Sequence, residues 1–160
     1  MRLDSTGMRG ALLAAALLAC VMGCRSPSQP PALNLAEPGW TVRHGEAVWR
    51  RERGGGGIAG ELLAASRADG QAFVQFSKGS FPLIVAQSSP RGWMAKFPLA
   101  RGQQHSGRGR PPTRIIFLQL PRVLAGLPPP KHWTWQSLPG DGWRLENGNS
   151  GESLEVYWDQ

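Results

Sequence analysis

The clearest secondary-structure pattern of the chain lies in IAGELLAASRADGQAFVQFSKGSFPLIVAQSSPRGWMAKFPL, residues 58–99. Its side chains alternate with a period of two, as at Ala72, Val74 and Phe76, which is typical of a β-strand with one buried face. Turn-forming residues interrupt the alternation at three places, 67–70, 78–82 and 89–92. Residues 58–99 therefore predict a four-stranded meander with short connections.

The rest of the chain predicts further strands and one short helical element. Residues 103–112 are rich in Gly and Arg and cannot supply a core, so we expect an exposed loop there. Pro121 suits the first position of a short helix that ends at Gly126, whereas residues 114–120 fit either a helix or a strand. Alternation resumes in the tail, residues 133–158. The predicted fold class is mainly β (α+β), a curved antiparallel sheet or an incomplete β-barrel with one short helix.

The N-terminal residues have the form of an export signal. Arg2 and Arg9 precede an apolar run rich in Ala and Leu, residues 10–19. Residues 10–23 number 14, fewer than the roughly 20 that a membrane-spanning helix needs. We therefore predict a cleaved signal at residues 1–23. An ordinary secretory signal and an uncleaved anchor are the alternatives.

The residues around Cys24 resemble the lipobox of bacterial lipoproteins. Val21-Met22-Gly23-Cys24 has a branched apolar residue three positions before the cysteine and a glycine directly before it. The resemblance implies cleavage before Cys24, lipidation of its sulfur and new amino terminus, and attachment to membrane lipid through these acyl chains. By resemblance to enterobacterial sorting rules, Arg25 favours the outer membrane, with the domain facing the periplasm.

The mature chain is expected to consist of a tether and one domain. Residues 24–39 are rich in Pro and Ser and predict the tether. Residues 40–160 predict a single β-rich periplasmic domain, because the 137 residues left after cleavage are enough for one core. Cys20 leaves with the signal, so an acylated Cys24 leaves no thiol for a disulfide or a metal site.

Signals of catalysis are weak. The chain has no GxSxG, HExxH or P-loop motif, and His44, His105 and His132 have no neighbours that pair them with a nucleophile. We therefore predict a protein that is not an enzyme, with no catalytic residue, no metal and no cofactor.

The middle of the chain is strongly basic. No acidic residue lies between Asp69 and Asp141, whereas nine basic residues do. This asymmetry predicts a basic face that attracts an acidic protein partner or anionic lipid, and export argues against nucleic acid. An ordinary solvated surface is the alternative. The residues assigned to this face are Arg101, Arg108, Arg110 and Arg114.

Seven tryptophans are many for 160 residues. Tryptophan fills cores and also lines cavities that take up apolar ligands, and the sequence does not separate the two roles. The residues predicted to line an apolar cavity are Phe76, Trp93, Phe97, Trp133 and Trp135.

The order of these elements resembles the LolA/LolB group of lipoprotein carriers. LPRVLAGLPPP, residues 120–130, is similar to a helix that precedes the final strands in the membrane-anchored LolB branch, and WRLEN, residues 143–147, resembles the next strand. The resemblance implies an incomplete β-barrel, closed by helices over an acyl-chain cavity. It also implies a protruding membrane-contacting loop, with Phe81 as the nearest candidate.

The function expected from this resemblance is binding of acyl chains or lipoproteins, in the localisation of lipoproteins to the outer membrane. The chain departs from the family in two ways, because it is shorter by a strand or more and has little of the helical lid. The alternative function is a non-enzymatic scaffold or assembly lipoprotein that binds an acidic protein partner through its basic face.

Overall fold

The computed structural model describes residues 33–159. The predicted signal at residues 1–23, the predicted lipidation site Cys24 and the tether as far as residue 32 lie outside the described residues. In the described part the elements are, in chain order, β1 (Trp40–Arg50), β2 (Ile58–Arg67), β3 (Ala72–Lys78), β4 (Phe81–Ser89), β5 (Gly92–Phe97), β6 (Gln103–Arg108), α1 (Ile116–Leu124), β7 (Trp133–Ser137), β8 (Gly142–Asn147) and β9 (Ser153–Trp158).

The strands form one antiparallel sheet in the order β6-β5-β4-β3-β2-β1-β9-β8-β7. Strands β6 and β7 are its two edges, so the sheet is open. Strands β2 to β5 are the meander predicted from residues 58–99, and each is joined to the next by a short turn at a predicted position. The predicted fold class, a mainly β chain with a curved antiparallel sheet and one short helix, is confirmed.

Helix α1 packs on one face of the sheet, which we call the inner face. It contacts β2, β3 and β4, and its apolar side chains join those of the sheet in one core. The largest fully buried side chains of this core include Leu62, Phe76, Phe117, Leu120 and Leu145. Because the helix fills the middle of the inner face, room for a ligand remains only beside it.

The helix differs from the prediction at its start and agrees at its end. It begins at Ile116, so Pro121 is its sixth residue rather than its first. An internal proline removes a backbone hydrogen bond, and the burial of Ile116, Phe117 and Leu120 offsets that cost. Gly126 has a φ of 73°, and its N–H donates to the Val123 carbonyl in a helix-ending Schellman arrangement.

The prediction of a loop at residues 103–112 is wrong for its first half. Residues Gln103–Arg108 form the edge strand β6. An edge strand needs hydrogen bonds on one side only, and β6 obtains them from β5 without burying a large side chain. Gly107 is required in this strand, because a Cβ there would lie 2.9 Å from the Trp93 ring. Gly109, with a φ of 71°, follows the strand.

The antiparallel register defines two ends of the sheet. The loop end carries the β1–β2, β3–β4, β5–β6 and β8–β9 connections and the start of β7. At the opposite end β1 begins at Trp40, paired with Arg67. The last residues of the predicted tether fold there, since the Glu37 N–H donates to the Asn34 carbonyl and the Glu37 carboxylate lies 3.6 Å from the Arg67 guanidinium.

Candidate functional site

A cleft of about 760 Å³ opens at the loop end, between the start of α1 and the two edge regions of the sheet. Such a volume is typical of small-molecule sites. We call it the acyl cleft, after the class of ligand that we propose for it below. Its apolar and aromatic lining residues are Trp49, Ile58, Leu83, Ile84, Phe97, Leu99, Ala100, Ile115, Ile116, Phe117 and Trp133.

Three aromatic rings hold the inner wall of the acyl cleft in place. Phe76 and Phe117 stack with ring centroids 5.7 Å apart, and Trp49 meets Phe117 edge-on at 5.4 Å. The Trp133 indole N–H donates to the Thr113 carbonyl at 2.8 Å, which ties β7 to the segment before the helix. The wall is thus built from packed side chains of the core rather than from free loops.

The structure places the five predicted cavity residues in different surroundings. Phe97 and Trp133 line the acyl cleft, and Trp135 lines a second cleft described below. Phe76 is 0% exposed and belongs to the core. Trp93 packs over Gly107 and is outside the lining of either cleft.

The second cleft, of about 700 Å³, lies at the opposite end of the helix. Trp135 and Trp143 stack in its wall with centroids 4.5 Å apart, and Arg43 lies over the Trp158 ring at 4.9 Å. The Trp143 indole N–H is buried without a hydrogen-bond partner among the described residues. This wall is more polar than that of the acyl cleft, and the tryptophans largely cover one another.

Basic side chains surround the acyl cleft. Arg51, Arg114 and Lys131 line it, and Glu152 is the one carboxylate among its lining residues. The Glu152 carboxylate accepts a hydrogen bond of 2.9 Å from the Trp49 indole. Burial raises the pKa of Glu152 above its usual 4.5, although that hydrogen bond and the nearby Arg51 act in the other direction.

The four arginines assigned to a basic face are all exposed but do not share one surface. Arg101 lies in the β5–β6 turn and Arg114 lines the acyl cleft, so both belong to the loop end. Arg108 is paired with Gly92 at the other end of β6, and Arg110 follows two residues later. The predicted face is therefore divided between the two ends of the sheet.

Two large apolar side chains project at the loop end. Phe81, predicted to contact membrane, begins β4 beside the β3–β4 turn and is 68% exposed. Leu99, in the β5–β6 turn, is also 68% exposed and lines the acyl cleft. Leu99 is not among the site residues predicted from the sequence, although this residue continues the alternation of Trp93 and Phe97.

Two histidines and one carboxylate lie among the lining residues of the acyl cleft. His105, His132 and Glu152 all line the acyl cleft, yet neither histidine forms an ion pair or a hydrogen bond with that carboxylate. Within residues 33–159 no three metal-binding side chains come together. The one helix described is too short to cross a membrane.

No family model matches the chain, and no curated protein is significantly similar to it. The acyl cleft is the feature of the described residues with the most apolar lining, and it is the structural basis of the function proposed below.

Proposed function

We propose that this protein is a membrane-anchored lipoprotein that binds acyl chains or the acyl groups of lipoproteins in the acyl cleft. The observation that carries the proposal is the aromatic and aliphatic wall between α1 and the sheet edges. In this proposal Cys24 holds the domain on the outer membrane, on its periplasmic side, and the protein takes part in lipoprotein localisation. Its role is binding rather than catalysis.

An apolar chain suits this wall better than a polar ligand does. Phe97, Ile115 and Trp133 present carbon surfaces toward the cleft, and each buried methylene of a bound chain contributes about 0.8 kcal/mol. The cleft remains open because the short helix covers only the middle of the inner face. Within residues 33–159 no helix has to move for a chain to reach the wall.

The path of the chain gives this proposal an orientation. Cys24 is nine residues before Leu33, a span of at most about 32 Å. Strand β1, with 11 residues, extends roughly 35 Å from the tether end of the sheet to the loop end. An upright domain thus presents the acyl cleft away from the anchoring membrane, toward an approaching carrier. In that orientation Phe81, which also lies at the loop end, is distant from the membrane that holds Cys24.

The alternative is a scaffold lipoprotein that binds an acidic protein partner. Because Arg101 and Arg114 lie at the loop end and Arg108 and Arg110 do not, such a partner would have to bind at one end of the sheet. The cleft has no role in this alternative, which makes lipid binding the discriminating measurement.

We expect lipid to co-purify with the mature chain carrying Cys24→Ala. The substitution removes the predicted covalent acyl groups, so any lipid found by mass spectrometry is held by non-covalent contacts. An apolar fluorescent dye should also gain fluorescence on binding and be displaced by added fatty acid.

The wild-type chain purified from membranes is the matched comparison. Its intact mass should include acyl groups on Cys24, and a free cysteine at that position would contradict the proposed anchor. A Cys24→Ala chain that is folded by circular dichroism, yet holds no lipid and takes up no dye, would contradict the proposed cleft.

A further inference from the structure

The acyl cleft combines an apolar wall with an excess of positive charge. Arg51, Arg114 and Lys131 line it, against the single carboxylate of Glu152. All three cations are exposed, whereas Phe117 and Trp133 on the wall are buried. The lining therefore changes from apolar to basic between its buried and its exposed parts.

These three cations have no acidic partner, as is true of most basic side chains of the described residues. Arg50 and Arg144 each pair with Glu155, at 2.8 Å and 3.5 Å. Arg51, Arg114 and Lys131 form no salt bridge with any carboxylate of residues 33–159. Glu152 is engaged by the Trp49 indole. Arg51 acts electrostatically on Glu152, whereas Arg114 and Lys131 form no salt bridge within residues 33–159, so an anion beside these two would meet charges that no carboxylate pairs with.

The N-terminus of α1 adds to the positive electrostatic potential of the acyl cleft. The cap residue Ile115 makes no side-chain capping hydrogen bond, and the first turn contains no acidic residue. Ile115, Ile116 and Phe117 line the acyl cleft, so this end of the helix borders the cleft that the basic residues also line. A helix N-terminus favours a negative charge nearby.

We propose that the acyl cleft selects single-chain lipids with an anionic headgroup, a carboxylate or a phosphate. The acyl chain lies along Phe97, Ile115 and Trp133, and the headgroup meets Arg114 and Lys131. This inference rests on the proposed function, because it assumes that the cleft binds acyl chains at all.

The test compares three probes with the same chain, namely palmitic acid, 1-palmitoyl lysophosphatidic acid and 1-monopalmitoylglycerol. Each is added at equal concentration to the wild-type chain in a non-ionic detergent, and bound adducts are counted by native mass spectrometry. Detergent competes equally with the three probes. We expect about tenfold or more adduct for each anionic probe than for the neutral glyceride, as charge-assisted contacts predict.

Two double variants remove equal charge from different places. Arg114→Gln with Lys131→Gln should reduce the anionic preference to about threefold or less, whereas Arg108→Gln with Arg110→Gln should leave it unchanged. All four side chains are exposed, and circular dichroism checks that both variants fold.

The outcomes distinguish a failure of the anionic preference from a failure of acyl-chain binding itself. Equal adducts for the three probes would overturn the anionic preference and leave acyl binding in place. A preference that survives in the Arg114 and Lys131 variant would also overturn it. If no probe binds, acyl binding and the anionic preference both fail. A preference for only one of the two anions supports the inference and identifies the headgroup.

Discussion

Replacement of Phe117 by alanine is expected to lower the free energy of unfolding by about 3–5 kcal/mol. Phe117 is 1% exposed, stacks on Phe76 and meets Trp49 edge-on. Its loss removes part of the packing that holds α1 on the sheet and leaves a cavity in the cleft wall. Urea unfolding of the mature Cys24→Ala chain, followed by tryptophan fluorescence, measures the effect.

Phe81→Ala is the matched control, since it removes the same side chain from a position that is 68% exposed. We expect its free energy of unfolding to stay within about 0.5 kcal/mol of the parent. Similar losses for the two variants would mean that the helix does not pack on the inner face as described.

Replacement of Gly60 by valine is expected to cost about 3 kcal/mol, the upper end of the usual cost of overpacking. A Cβ at Gly60 would overlap the carbonyl oxygen of Ser77 and lie 3.1 Å from the Phe76 ring. The obstacle is backbone at the β-bulge between Phe76 and Ser77, so strand β3 itself must move. Strand propensity alone predicts the opposite sign, because valine favours strands and glycine does not. Thermal and urea unfolding decide between the two.

Gly56→Val places the same side chain in the β1–β2 loop, where a Cβ meets nothing within 4 Å. Its free energy of unfolding should differ from that of the parent by less than about 0.5 kcal/mol. A Gly60→Val chain as stable as the Gly56→Val chain would contradict the close approach of β3 to β2.

The strands predicted from sequence are those whose signal is local. Alternation and turn residues lie within each strand and its connection, so residues 58–99 could be interpreted correctly. Strand β6 escaped prediction because an edge strand of Gln103, Gln104 and His105 buries no apolar side chain. Sequence alone puts Pro121 at the start of a helix because local preference disfavours an internal proline. The burial of Ile116, Phe117 and Leu120, which offsets this, depends on tertiary packing.

The cleft was predictable in part, through its aromatic residues. Phe97 and Trp133 stood out by size and spacing, whereas Phe76 and Trp135 were assigned a shared cavity that they do not line together. Arg51 and Lys131 are 80 positions apart and reach one cleft only through the register of the sheet. No local sequence pattern predicts that two residues so far apart line one cleft. The sequence shows only that the middle of the chain is basic.

We expect an acyl chain to lie in the cleft between α1 and the sheet edges at the loop end. Palmitic acid with a photoreactive diazirine near its methyl end tests this most directly. Irradiation of the complex with the mature Cys24→Ala chain should attach the probe within three segments that line the acyl cleft, residues 97–105, 113–117 and 131–133. Excess palmitic acid should prevent the labelling. Labelling confined to the second cleft around Trp135 and Trp143, or labelling that excess palmitic acid does not reduce, would contradict the claim.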